Sequence, residues 1–153
     1  MNKAIYFDMD GTIADLYGVN GWLTKIENSD TTPYEEAAVL LNMQALAHRL
    51  NTLQRKGYTI GIISWLSKSG TPEYNEAVKL AKLDWLNKHL GSVKWNEVHF
   101  VKFGKKKSEV AQVKDGILFD DNKKVRKEWN KRNPNGIAFA EKNILAILDE
   151  LAK

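Results

Sequence analysis

Short apolar runs alternate with amphipathic stretches along the whole chain. Ala4-Ile5-Tyr6-Phe7 is a continuous apolar run that stops at Asp8. A run of that length reads as a strand buried on both faces. Tyr58-Thr59-Ile60-Gly61-Ile62-Ile63, Val98-His99-Phe100-Val101, Gly116-Ile117-Leu118-Phe119 and Gly136-Ile137-Ala138-Phe139 repeat the pattern and predict four more strands. Between them, apolar residues recur at steps of three and four, the period of a helix with one buried face. Thr32-Pro33-Tyr34-Glu35 has the threonine, proline and glutamate of a helix start. Val39, Met43, Leu46, Leu50 and Leu53 then predict one long helix from Pro33 to Lys56, closed by Gly57. Thr71-Pro72-Glu73 opens another, with Tyr74, Val78, Ala81 and Trp85 on one face and Gly91 at its end. Shorter helices are predicted over 108–112 and over 122–131, the latter with Val125 and Trp129 inward. A C-terminal helix buries Ile144, Leu145, Leu148 and Leu151. Residues 10–33 are mixed and glycine-containing, with room for a short helix near Tyr17 to Ile26.

Strands alternating with helices imply an α/β fold, a Rossmann-like parallel sheet with helices on both faces. No repeat, linker or low-complexity tract divides the chain, so residues 1–153 read as one domain. In such sheets, ligands bind outside the carboxyl ends of the strands. Candidate site residues should therefore stand just after strands.

Composition changes this picture little. Apolar residues make up 43% and charged residues 27% of 153, as in ordinary globular chains. The absence of cysteine excludes disulfides and thiolate metal sites, leaving oxygen or histidine ligands for any metal. The start does not read as a signal peptide and no stretch has the length of a membrane span, so a cytoplasmic protein without membrane association is expected. A net charge of +4 suits an anionic partner, although from charge alone a solvated lysine-rich surface is the preferred reading.

The residues after the strands form a coherent set. Asp8 and Asp10 follow the first strand, and Ser64 follows the second. Lys102 and Lys105 to Lys107 follow the third, and Asp120 and Asp121 the fourth. Clustered carboxylates repel one another and call for a cation. With oxygen ligands alone, magnesium is the natural one, and it pairs with substrate phosphate. A carboxylate can attack phosphorus, a second acid can protonate the leaving oxygen, and a hydroxyl and a lysine can hold the phosphoryl oxygens. Each piece alone has a simpler reading. Asp10-Gly11-Thr12 is a common turn, Asp120-Asp121-Asn122 a common cap, and a lysine run a common solvated face. Their convergence on one rim favours chemistry.

Asp8-Met9-Asp10-Gly11-Thr12 after a hydrophobic strand resembles the signature of the haloacid dehalogenase-like hydrolases. Ser64 after Ile62-Ile63, and Ile117-Leu118-Phe119-Asp120-Asp121, are similar to that family's second and fourth motifs. The resemblance implies that Asp8 is the nucleophile and Asp10 the general acid and base. It implies that Asp8, the Asp10 carbonyl and Asp120 hold Mg2+, with Asp121 assisting. An aspartate at position 10 is the family's phosphatase pattern. Lys107-Ser108 is similar to the lysine-serine step of the 5'(3')-deoxyribonucleotidase branch, so Lys107 is preferred as phosphate ligand, with Lys102, Lys105 and Lys106 as alternatives. The stretch Ala81 to Leu90, with Lys82, Trp85 and Leu86, is similar to the same branch. In that branch a cap is inserted after the first motif, which leaves about residues 15–32 here as a minimal helical cap.

The expectation is thus a magnesium-dependent phosphatase acting on phosphate monoesters, best a small 5'- or 3'-(deoxy)nucleotide, through a phospho-aspartate. Two alternatives stand beside it. One is a nucleic-acid 3'-end phosphatase using Lys105 to Lys107 with Lys123, Lys124, Arg126 and Lys127. The other is a non-catalytic phosphate- or metal-binding protein of this fold. Thr12, Trp22 and Trp65 are candidate substrate contacts, with Tyr17 near Trp22. Trp85, Trp95 and Trp129 read as core. His48, His89 and His99 lack ligand spacing.

Overall fold

The computed structural model of the protein describes residues 3–153. In chain order it contains β1 (Ala4–Phe7), β2 (Ala14–Asp15), a 3-10 turn (Leu16–Gly18), α1 (Trp22–Glu27), α2 (Thr32–Glu36), β3 (Ala38–Val39) and α3 (Met43–Arg55). There follow β4 (Thr59–Trp65), α4 (Pro72–His89), β5 (Glu97–Val101), α5 (Lys107–Val110), β6 (Ile117–Phe119), α6 (Lys123–Arg132), β7 (Ile137–Phe139) and α7 (Ile144–Ala152).

The five strands expected from the apolar runs all pair in one parallel sheet, in the order β5-β4-β1-β6-β7. The chain lays down β1, β4 and β5 on one side, then crosses back to place β6 and β7 on the other. This is the Rossmann-like α/β arrangement, and its order reverses between β1 and β6. Register there is tight: Phe7 stands opposite Phe119, and the Asp8 amide donates to the Phe119 carbonyl at 2.9 Å.

Alternate residues of β1 feed two cores. Ile5 and Phe7 pack with Leu46, Leu50 and Leu53 of α3 and Leu148 of α7. Ala4 and Tyr6 face the other way, with Val125 and Trp129 of α6. The Tyr6 ring lies so close over the sheet that a Cβ on Gly61 would come within 2.7 Å of it. Its hydroxyl reaches across to donate to Glu97 of β5 at 2.7 Å.

The single long helix expected from Pro33 to Lys56 is not formed. It is two helices, α2 and α3, separated by β3. Ala37 is extended (φ −53°, ψ 131°), and its carbonyl accepts from the indole of Trp85 at 2.8 Å, so it makes no helical bond onward. Ala38 and Val39 pair instead with Ala14 and Asp15. Asn42 then caps α3 through its side chain, which accepts from the Ala45 amide at 2.9 Å. Val39 is exposed, and its four-residue spacing to Met43 reflects no shared face. Leu46, Leu50 and Leu53 are buried as the pattern requires. In α7, Ile144 and Leu148 are buried, while Leu145 and Leu151 are half-buried.

Residues 10–42 thus form an insert between β1 and α3 with its own two-stranded sheet and short helices. No helix among the described residues is long and apolar enough to cross a membrane.

Leu50 is fully buried between α3 and the sheet. Leu50→Ala should lower unfolding stability by about 3 kcal/mol, the cost of lost burial plus a cavity. Urea denaturation followed by circular dichroism checks this.

Candidate active site

Asp8 is the first residue beyond β1 and Asp120 the first beyond β6. Because these strands are neighbours, their ends place the two carboxylates side by side. The turn after β1 completes the arrangement. The Met9 carbonyl accepts from the amides of Thr12, Ile13 and Ala14 at 3.1, 3.0 and 3.0 Å, which folds residues 10–13 back over the strand end. Gly11 makes this possible with φ +83°. A Cβ there would lie 2.2 Å from an Asp121 oxygen and 2.8 Å from the Tyr17 ring, so the turn sits directly against the acidic cluster.

Oxygens of Asp8, Asp120 and Asp121 lie within 4.8 Å of one another. Thr12 ties two of these residues together. Its hydroxyl donates to Asp8 Oδ2 at 3.0 Å and accepts from the Asp121 amide at 3.1 Å. Asp120 Oδ1 accepts from the Asn122 amide at 2.9 Å, where Asn122 caps α6. Lys107, only 2% exposed, donates to Asp8 Oδ1 at 2.9 Å and Asp120 Oδ2 at 2.7 Å. Lys102, Lys105 and Lys106 are exposed, and none is bonded to these acids. Lys107 is held in place from behind, because the Ser108 hydroxyl, 2.7 Å from both oxygens of Glu128 on α6, donates its one hydrogen to that carboxylate.

Asp10 belongs to a second group. Its Oδ2 accepts from Lys82 of α4 at 2.8 Å. The same ammonium donates to Ser64 Oγ at 2.7 Å and to the Trp65 carbonyl at 2.9 Å. Ser64 is fully buried at the end of β4, beneath the cavity rather than on its wall. Lys82 is absent from the set of site residues drawn from the sequence. The available signal was its place beside Ala81 on the inward stripe of α4, four residues beyond Val78.

The electrostatics follow from burial and crowding. Burial and the neighbouring Asp8 charge push Asp120 up to about 6 and Asp121 up to about 8. Burial raises Asp10, Lys82 opposes that rise, and Asp8 adds to it. Burial by itself would lower Lys107, but Asp8 and Asp120 override it and hold its pKa above the ordinary value. The Asp8, Asp120 and Asp121 cluster therefore carries more negative charge than its one lysine balances. Its donors are carboxylate oxygens with no histidine or sulfur, and this set fits a hard divalent cation.

A cavity of about 460 Å³ opens above these groups, with Asp8, Asp10, Lys107, Asp120 and Asp121 at its floor. The insert supplies one wall through Tyr17, Trp22, Ile26 and Tyr34. Trp65, Phe103 and the 66–70 loop supply the other. Tyr17 and Trp22 meet edge to face at 4.9 Å, and Trp65 and Phe103 are 4.9 Å apart. Both Trp22 and Trp65 are half-buried and line the cavity, while Trp85 and Trp129 are core. Trp65 also donates to the Lys105 carbonyl at 2.8 Å, which braces the loop leading to Lys107. Thr12 is buried against Asp8 and Asp121 and is not among the cavity-lining residues. Of the histidines, His99 bonds to Glu97 at 2.9 Å, and none lies in the acidic cluster.

Among solved structures, the chain is similar to D,D-heptose 1,7-bisphosphate phosphatase from Burkholderia thailandensis. The TM-score is 0.57 at 14% sequence identity, covering 99% of this chain and 100% of that one. The likeness is one of fold and extends over the whole described sheet with its flanking helices. No protein-family model and no curated protein matches the sequence.

The raised acids set a pH dependence. A carboxyl whose folded pKa lies above its unfolded value of about 4 binds its proton more tightly when folded. Its contribution to stability is present below that value and is lost as pH rises to about 8 for Asp121. Without divalent cations, the melting temperature of the wild type relative to Asp121→Asn should fall between pH 5 and pH 8. Excess divalent cation should reverse that trend. Calorimetry of both proteins, with and without chelator, checks it; a wild-type melting temperature that rises with pH relative to the variant in chelator contradicts it.

Proposed function

We propose that this protein is a magnesium-dependent phosphatase that hydrolyses phosphate monoesters through a phosphorylated Asp8. One observation carries the reading: Asp8 shares a cation-sized cluster with Asp120 and Asp121 on the floor of a cavity, with a further carboxyl, Asp10, lining the same cavity. The resemblance of Asp8-Met9-Asp10-Gly11-Thr12 to the haloacid dehalogenase-like signature, and the likeness in fold to a sugar-bisphosphate phosphatase, support it.

Magnesium, held by Asp8, Asp120 and Asp121 with the Asp10 carbonyl, would neutralise phosphoryl charge so that an anionic nucleophile can approach. In the first step an Asp8 oxygen attacks phosphorus, the ester P–O bond breaks, and Asp10 gives its proton to the leaving oxygen. In the second, Asp10 takes a proton from water as that water attacks phosphorus. The bond between phosphorus and Asp8 breaks, releasing inorganic phosphate and restoring both carboxyls. Thr12 and Lys107 hold Asp8 through one oxygen each, which fixes the orientation of the nucleophile. Lys107 also faces the phosphoryl charge as it builds. Ser64, fully buried beneath the cavity, serves instead as an acceptor that helps hold the Lys82 ammonium.

The substrate we favour is a nucleoside monophosphate. The cavity is compact, and its walls carry Tyr17, Trp22, Trp65 and Phe103, flat faces suited to stacking on a base. In this reading, residues 15–32 act as a small cap over the site.

Asp8→Asn keeps the shape of the side chain but removes the nucleophile. Phosphate release should fall by roughly a thousand-fold or more while the melting temperature is retained. The assay is a panel of 5'- and 3'-nucleotides, sugar phosphates and a 3'-phosphorylated oligonucleotide, each with magnesium and with chelator. Chelator-sensitive release concentrated on nucleotides is expected. Release mainly from the oligonucleotide, falling steeply with salt, would transfer the activity to nucleic-acid ends. Folded wild-type protein inactive on every ester overturns the proposal.

A further inference from the structure

Lys82 is a charged side chain placed where α4 needs an apolar one. It lies on the face that carries Val78, Ala81 and Trp85, and its side chain is 1% exposed. Burying an ammonium there is costly, and a methionine of similar length would pack without that cost. The charge is nevertheless fully used. An ammonium has three hydrogens, and Lys82 has three acceptors: Asp10 Oδ2, Ser64 Oγ and the Trp65 carbonyl, at 2.8, 2.7 and 2.9 Å. None is left over for a substrate. The Tyr34 ring centroid lies 5.2 Å from the same nitrogen and closes off that side.

The acceptors come from two separate parts of the chain, the turn after β1 and the end of β4. Asp10 is held through one oxygen only. Its Oδ1 has no partner among the described residues, and Asp10 keeps 18% of its side chain exposed, on the cavity wall. A carboxyl on a short turn would otherwise rotate freely about its last bond. With Oδ2 pinned, one oxygen is committed to the protein and the other to the cavity.

We infer that Lys82 is a positioning residue for proton transfer: it fixes the Asp10 carboxyl through Oδ2, so that Oδ1 faces first the leaving oxygen and then the attacking water. This rests on the phosphatase reading above. Lys82 itself touches no reacting atom, and its effect should be felt wherever Asp10 must move a proton and nowhere else.

Two esters separate this from a general loss of structure. A nucleoside monophosphate leaves as an alkoxide and needs a proton from Asp10. p-Nitrophenyl phosphate leaves as a stable phenolate and needs none, yet both leave the same phosphoryl group on Asp8, whose hydrolysis needs Asp10 as base. In Lys82→Met, kcat on the nucleotide should fall about 100-fold, the scale of one general acid–base contribution, with KM changed only a few-fold. On p-nitrophenyl phosphate the variant should release a rapid burst of one phenolate per site, followed by slow turnover, with phosphate retained on the protein. Rapid-quench kinetics and acid-stopped phosphate counting read this. A folded Lys82→Met with wild-type rates, or with equal losses on both esters and no burst, overturns the inference while leaving the phosphatase intact. A wild type inactive on both esters overturns both. Should Lys82→Met not fold, Lys82→Gln carries the same test; if neither folds, Lys82 is a structural requirement and the inference fails.

Discussion

Lys107 lies buried between Asp8 and Asp120, within 2.9 and 2.7 Å of their carboxylates, and the rest of the site is arranged around that contact. Two acids at neighbouring strand ends repel each other in a medium that screens poorly. One buried ammonium brings them together. Burial first, and then the surplus of negative charge around Asp8, raises Asp120 and Asp121 above the ordinary carboxylate range. A site with this surplus is prepared for added positive charge. The buried pair is better understood as a device for placing charge than as a source of stability.

The sheet makes the contact possible. β1 and β6 are neighbours although most of the chain separates them, because the order of the strands reverses there. Both strands are followed directly by an aspartate, so a single register, Phe7 opposite Phe119, puts the carboxylates level. The turn at Gly11 then folds back close enough for Thr12 to bond both Asp8 and Asp121. A side chain on residue 11 would occupy the space of the Asp121 carboxylate. Backbone geometry and charge placement are thus parts of one constraint.

The second lysine works by the same physics on a different acid. Lys82 and Asp10 form a pair beside the Lys107 group, and the two groups meet at the cavity floor. Above them the walls carry aromatic faces, with polar residues of the 66–70 loop among them. Charge is concentrated at the floor, and flat aromatic surfaces lie above it.

Much of this was legible in the chain. Buried strands are short, continuous apolar runs, and five of them stood out because burial on both faces permits no polar alternation. Asp8 and Asp120 were visible because each directly ends such a run. The break in the long helix was not visible. A pattern of four-residue steps runs through Val39 and Met43 by coincidence, and only the bond from Trp85 to the Ala37 carbonyl, with the pairing of β3, decides the backbone there. Nor could spacing choose among four lysines, since the choice depends on which one the start of α5 turns inward. Lys82 was the least legible, because an inward lysine on a helix looks like one whose long stem reaches the surface. The sequence by itself determined the strands, their order of charge and the acids at their ends, since these depend on local burial. Tertiary structure alone decided which cations meet which acids, since those partners lie far apart in the chain and only the crossover of the sheet brings them within bonding distance.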